Sequence, residues 1–262
     1  MNATLLRRFA VVCLIATAAF AQSRPSPQDI MDRVVARVHQ DEQQEKEGKD
    51  LVATEHSVQE DLNEDGSVKE RTEFVREPVL IEGKVFLRTV SRNGQPLTGK
   101  YARTEKQRED KFREHLHDMR KVNEDEIKLD REFFSRFDLT NEGDANVNGR
   151  AAWIVGFKPK PGEKSERTRM EHVLNHVQGR IWVDEREYEI AKVDCTLTEP
   201  VSVYGILGKV RKLDFKLEQI ERGGFWSPLH LQIAFDARAV VVTLRQRITN
   251  DYSNFRMKSE LH

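Results

Sequence analysis

The sequence predicts an α+β fold that is mainly antiparallel β, a curved sheet with one buried face and helices lying over it. Three observations predict it. Alternating apolar and polar runs recur through the second half of the chain. Turn pairs separate such runs at Asp65-Gly66, Asn93-Gly94 and Gly223-Gly224. Helical spacing of apolar residues is confined to two segments near Ser26–Lys46 and Tyr101–Phe137. Strands joined at close intervals by turn chemistry argue an antiparallel meander and not a parallel α/β sheet.

The chain opens with Arg7 and Arg8, an apolar run from Phe9 to Phe20, and Ala19-Phe20-Ala21 before Gln22. A cationic head, an apolar run too short to span a bilayer and small residues before the cut describe a cleaved secretory signal over residues 1–21. Lipidation at Cys13 is the rival reading, but Val11 and Val12 stand where a small residue is wanted. The expectation is export to the periplasm as a single domain, residues 22–262. Loss of Cys13 leaves Cys195 alone, so the exported domain is held by its core and not by a disulfide. Loss of Arg7 and Arg8 leaves 41 basic residues against 44 acidic ones, a balance with no electrostatic footprint for nucleic acid.

The elements follow in order. Ser26 to Lys46 places Ile30, Val34, Val35 and Val38 at helical spacing, with Pro27 near the start. Two alternating runs, "LVATEHSVQEDLN" and "SVKERTEFVRE", flank Asp65-Gly66 as a hairpin, and "VLIEGKVFLRTVSRNGQPLT" adds further strand. Tyr101 to Phe137 reads as a highly charged helical stretch with Phe112, Leu116 and Met119 on one stripe, Ile127 and Phe134 continuing it, and a break near Asn123. From Phe137 the chain is mostly strand, with one short helical or irregular insert, "ERTRMEHVLNHV".

Alternation sorts the later strands by face. Ala191, Val193, Cys195 and Leu197 oppose Lys192, Asp194 and Thr196; Leu213, Phe215 and Leu217 oppose Lys212, Asp214 and Lys216. Leu229, Leu231, Ile233 and Phe235 oppose His230, Gln232 and Asp236. Three such strands make a sheet with one buried side, and the two helical segments are the material to cover it.

Catalytic groups are not assembled by this pattern. Cys195 lies among inward apolar residues, where a thiol behaves as a small hydrophobe and nothing nearby stabilises a thiolate. Asp184, Glu185, Glu187 and Glu189 fall on a turn, "VDEREY", where carboxylates are expected to be solvated. No phosphate-binding glycine loop or nucleophile elbow occurs. His172 and His176, four apart, are the sharpest metal candidates, but their order is Glu-His-x-x-x-His and not that of a zincin. His115, His117 and Asp118 form a looser group on a charged helix. The expectation is no catalytic residue, no metal and no cofactor, with a metal-dependent hydrolase around His172 and His176 as the least favoured alternative.

The arrangement "VNGRAAWIVGFKPKPG", "GRIWVDEREYEIAKVDCTL", "GFWSPLHLQIAF" and "ITNDYSNFR" resembles the LolA/LolB-like lipoprotein-carrier superfamily, in particular exported relatives of outer-membrane lipoprotein-sorting proteins. The shared features are an Asn-Gly-Arg strand leading to Trp153, a Gly-x-Ile-Trp-Val-Asp strand and a Gly-x-Trp-x-Pro strand, spanning roughly Phe137 to Phe255. The resemblance implies a half-open antiparallel β-barrel with helices covering the concave face and an apolar cavity for acyl chains between them. Carried onto this sequence, the cavity would be lined by Trp153, Val155, Phe157, Val193, Cys195, Leu197, Leu213, Phe215, Leu217, Leu231, Ile233 and Phe235. Trp153, Trp182 and Trp226 fall on the family's strand positions with core packing as their expected role. The partners implied are lipid or lipoprotein acyl chains, with transient membrane association. The alternative is an envelope protein partner docked on the same fold with its cavity packed solid.

Overall fold

Strand follows strand along most of this chain because each alternating run is closed by a turn that reverses it. The computed structural model describes residues 24–46, 50–117, 129–162, 166, 169–203, 208–239 and 242–261. In order these form α1 (Pro27–Lys46), β1 (Leu51–Leu62), β2 (Val68–Ile81), β3 (Lys84–Arg92), β4 (Gln95–Pro96), α2 (Gly99–His117), α3 (Arg131–Ser135) and β5 (Phe137–Val147). They continue as β6 (Arg150–Pro159), α4 (Arg169–Leu174), β7 (Val177–Asp184), β8 (Ile190–Leu197), β9 (Val201–Ser202), β10 (Gly208–Arg222), β11 (Phe225–Ala239) and β12 (Val242–Met257). The strands make one antiparallel sheet in the order β4-β3-β2-β1-β12-β11-β10-β8-β7-β6-β5, with β9 paired to β10. β4 and β5 stand at opposite ends of that order, so the sheet is open.

The first helix is built locally. Ser26 Oγ accepts the Asp29 N–H at 3.1 Å and lies 2.7 Å from the Asp29 carboxylate, a reciprocal cap ahead of Pro27 at the first helical position. Ile30, Met31, Val34 and Val35 form its buried stripe, 0–6% exposed. They pack on Val155, Val177, Ile181 and Val183 of the sheet and on Phe133, Phe134 and Phe137 around α3. Phe137 meets Phe157 edge-on at 5.5 Å, which joins α3 to the sheet face.

One element differs from the sequence expectation. The second strand does not stop at Glu77 but runs through Pro78 to Ile81, turning at Glu82-Gly83. Proline is tolerated there because pairing with β1 has already ended at Glu55–Arg76, so no N–H is needed on that side. The long charged segment is helical as α2 from Gly99 to His117 and again as α3 from Arg131 to Ser135. Met119, Asn123 and Ile127 lie outside the described residues, as do residues 1–21. Asn93 and Gly94 both take positive φ (49° and 72°), the backbone that a two-residue hairpin requires.

Helical cover is split between the two ends of the sheet. α1 and α3 cover the β5–β7 end, whereas α2 docks on β3 through Phe112 against Phe86 (5.1 Å) and Glu109 against Arg88 (3.1 Å). A second, smaller cluster of Val147, Ala152 and Ala191, with Trp182 and Trp226, lies on the opposite face from α1. Ala191 therefore leaves the face shared by Val193, Cys195 and Leu197. The cause is a bulge: Trp182 pairs with Lys192 but Val183 pairs with Ile190, so Ala191 falls out of step.

Met31→Ala, at a fully buried site under the sheet, is expected to cost about 2–5 kcal/mol in urea unfolding. Val242→Ala, at a residue 53% exposed, is expected to change stability by no more than about 0.5 kcal/mol.

Candidate ligand-binding face

Cross-strand register decides which side chains share a face. On the α1 side of the sheet, one row reads Val155, Ile181, Val193, Leu217, Leu231 and Asn250. The next reads Phe157, Gly179, Cys195, Phe215, Ile233 and Ile248. A third carries Val177, Leu197 and, on the far strands, Leu213, Phe235 and Gln246. All twelve residues singled out from the sequence stand on this one face, with Trp153 paired to Val183 at its margin.

Their burial separates them into two groups. Val155 is closed off by α1, and Trp153, Phe157, Leu197 and Leu213 pack against the same core. Val193, Cys195, Phe215, Leu217, Leu231, Ile233 and Phe235 are half-buried and belong to neither buried cluster. The sequence therefore aligned the face but not its cover. Helices were expected to enclose a cavity over these strands. Instead the space beneath α1 is filled by Ile30, Met31, Val34 and Val35, and the apolar surface continues past the helix as an open face.

Sequence reasoning missed Ile248, Val210, Val242 and Leu244, which share this face through pairing with Ile233, Ala237 and Ala239. The alternation Val242-Leu244-Gln246-Ile248 was the available signal, interrupted by one glutamine. Across β12 and β1 the same face turns polar. Asn250 and Tyr252 there bond the Glu55 carboxylate (3.2 Å each), and Arg76 pairs with the same carboxylate. The Ser57 hydroxyl, 1% exposed, stands opposite Asn250. Gly179 is required by close approach: a Cβ there would lie 2.1 Å from the Asp194 carbonyl oxygen.

A cavity of about 490 Å3 opens on the other side. Its walls are the polar faces of β5–β8, including Thr140, Glu142, Lys158 and Arg180, with Phe157 and Cys195 at its border. Glu142 and Arg180 pair across it.

The turn between β7 and β8 overturns the expectation that its carboxylates face water. Asp184 is 1% exposed and Glu189 6%. Arg150 holds Asp184 with two hydrogen bonds (2.7 and 3.0 Å), and the N–H groups of Arg186 and Glu187 donate to the same carboxylate. Burial pushes the Asp184 carboxyl up, but these donors outweigh it and hold it below the usual carboxylate range. Glu187 accepts from Arg150 (2.8 Å) and from the Trp226 indole (2.7 Å). On the α1 side, the Tyr188 hydroxyl accepts from Arg33 (3.0 Å), its ring lies 5.2 Å from Trp153, and Glu189 pairs with Arg37. Burial, and then a hydrogen bond with Asp41, raise Glu189 to about 7 against the opposing pull of Arg37.

The remaining candidates are placed as follows. Burial, followed by Asp194 and Asp214, pushes the Cys195 thiol up to about 12, which favours the protonated thiol at neutral pH. His172 bonds Glu166 (2.7 Å) and His176 bonds Glu199 (3.1 Å). Among the described residues no three metal-ligating side chains converge. No described helix is long and apolar enough to cross a membrane.

No family model and no curated protein sequence matches the chain. Similar solved structures include a Vibrio parahaemolyticus domain provisionally described as an outer membrane lipoprotein-sorting protein (TM-score 0.35, 9% identity, 88% of this chain and 95% of that one). A DUF1329 family protein from Desulfovibrio piger overlaps with TM-score 0.31 at 13% identity, over 91% and 96% of the two chains. A LolA superfamily protein from Nitrosomonas europaea overlaps with TM-score 0.29 at 9% identity, over 89% and 94%.

Glu189 sets a pH dependence. Its carboxyl holds a proton more tightly in the folded chain than in the unfolded one, where the ordinary value is 4.5. The stability it contributes is therefore full below that value and is lost as pH rises through about 7. Glu189→Gln removes this descent. Its Tm relative to the wild type is expected to rise between about pH 5 and about pH 8, read by thermal unfolding.

Proposed function

We propose that residues 22–262 form an exported, non-enzymatic binding module that holds the acyl chain of a lipid or lipoprotein. Residues 1–21 serve as its cleaved signal. The observation that carries this reading is the row of half-buried apolar side chains on β8, β10, β11 and β12, continuous in register and lacking any charged residue from Val193 to Ile248. Such a surface offers no hydrogen bonds and asks for none, which suits a hydrocarbon chain. From Leu231 to Phe235 the face extends about 14 Å along the strand. That is close to half the roughly 30 Å hydrocarbon thickness of a bilayer, the reach of one acyl chain. Affinity would come from burial, about 0.8 kcal/mol per methylene removed from water.

The wild type is expected to bind a fluorescent fatty acid in solution. Phe215→Asp and Ile233→Asp are each expected to weaken it about tenfold or more, since a carboxylate on the face must be desolvated. Lys216→Asp, on the opposite face beside Phe215, is the control and leaves binding unchanged. Absence of binding by the wild type, or equal binding by all four proteins, rejects the reading. A stoichiometric protein partner that covers the same face, with no lipid in native mass spectrometry, would replace it.

A further inference from the structure

The apolar face does not end where the rest of the sheet ends. Pairing of β1 with β12 stops at Asp61–Gln246, and pairing of β8 with β10 stops at Thr196–Asp214. β11 and β12 continue to Ala239–Val242, and β10 pairs alongside them to Gly208. Joined by β9 at Lys209 and Val210, the three strands project about 13 Å beyond β1 as a tongue. Val210 and Ala237 on it, with Leu213 and Phe235 below, belong to the apolar face.

The tongue is where the protein exposes apolar side chains. Of the four large hydrophobic residues most open to water among those described, Val242 (53%) and Leu244 (47%) stand on it. Val68 (46%) stands at the adjacent β1–β2 turn. The tongue's charge is one-sided. Residues 208–213 and 235–247 carry Lys209, Arg211, Lys212, Arg238, Arg245 and Arg247 against Asp236 alone, in a chain whose net charge is -1. Lys209 pairs in register with Arg238, and Lys212 with Asp236, which places these groups on the face opposite Val242 and Leu244. Asp236 is engaged by Arg211 (2.6 Å) and Arg245 (3.0 Å), and Glu64 of the neighbouring turn by Arg245 (3.0 Å).

From this we infer that the β10–β12 tongue docks end-on on an anionic lipid bilayer, with Val242 and Leu244 of one face entering the headgroup boundary and the basic side chains of the other face meeting the surrounding headgroups. An exposed apolar tip with a basic flank is the pattern that holds a protein at a bilayer interface. The purpose of the docking rests on the proposed acyl-chain reading. A tongue whose apolar face is continuous with Phe215, Ile233 and Phe235 gives a chain leaving the bilayer an unbroken apolar path.

The test is sedimentation with vesicles of phosphatidylglycerol and phosphatidylcholine, compared with phosphatidylcholine alone. The wild type is expected to sediment with the anionic vesicles, less at high salt and less with the neutral ones. The double variant Val242→Asp with Leu244→Asp, and separately Lys209→Glu with Lys212→Glu, should each weaken this by about tenfold. Both pairs are at surface positions, and circular dichroism confirms that each variant is folded. Failure of the wild type to sediment, or unchanged sedimentation of both variants, overturns the inference. Fatty-acid binding is read in solution without vesicles, so the two can fail separately. Docking without fatty-acid binding removes the acyl-chain reading alone, and the reverse result removes the tongue alone.

Discussion

The first helix and the β5–β8 end of the sheet are fastened to one six-residue turn, Asp184 to Glu189. Its carboxylates and its tyrosine are taken up by arginines from both sides of the sheet. Arg150 at the β5–β6 turn holds Asp184 and Glu187, and Glu187 in turn receives the Trp226 indole from the β10–β11 hairpin. Arg33 and Arg37 of α1 hold Tyr188 and Glu189. A buried carboxylate without its cation would carry a large desolvation penalty, so these pairings constrain geometry more than they add net stability. With them in place, α1 has one orientation over β5–β7 and its stripe of Ile30, Met31, Val34 and Val35 has one surface to fill.

That constraint also explains why the middle of the sheet is bare. α1 is tied at the β7–β8 turn and α2 at β3, through Phe112 on Phe86 and Glu105 accepting the Thr89 N–H. In the strand order these anchors lie toward opposite ends, with β2, β1, β12, β11 and β10 between them. An amphipathic helix can cover only the strands beneath its apolar stripe. The strands left over keep apolar side chains that are only half-buried.

The strand pattern was legible because period-two alternation survives without any knowledge of partners. Leu213-Phe215-Leu217 and Leu231-Ile233-Phe235 can be assigned to one face from spacing alone, and register then sets them side by side. Three things were not legible. Ala191 changes face because it is the extra residue of a bulge in β8, which shows only in its register with β7 and not in the spacing of "IAKVDCTL". Asp184 and Glu189 look like solvated turn residues because their cations are 34 and 152 positions away in the chain. The cover over the sheet was misplaced because apolar spacing shows that a helix has a buried stripe, not which strands lie under it.

The two halves of the inner face suit different contacts. From β6 to β11 its rows are apolar, and from β12 onward Gln246, Asn250, Ser57 and Glu55 enter beside Ile248. A polar half held by its own hydrogen bonds, Glu55 to Arg76, Asn250 and Tyr252, resists collapse onto the apolar half, since closing over it would cost desolvation of each group. The sheet can thus present Phe215, Ile233 and Phe235 to solvent without folding shut on them. On the proposed reading, an apolar face beside this polar one would take an amphiphile by its tail and leave its head at the polar margin.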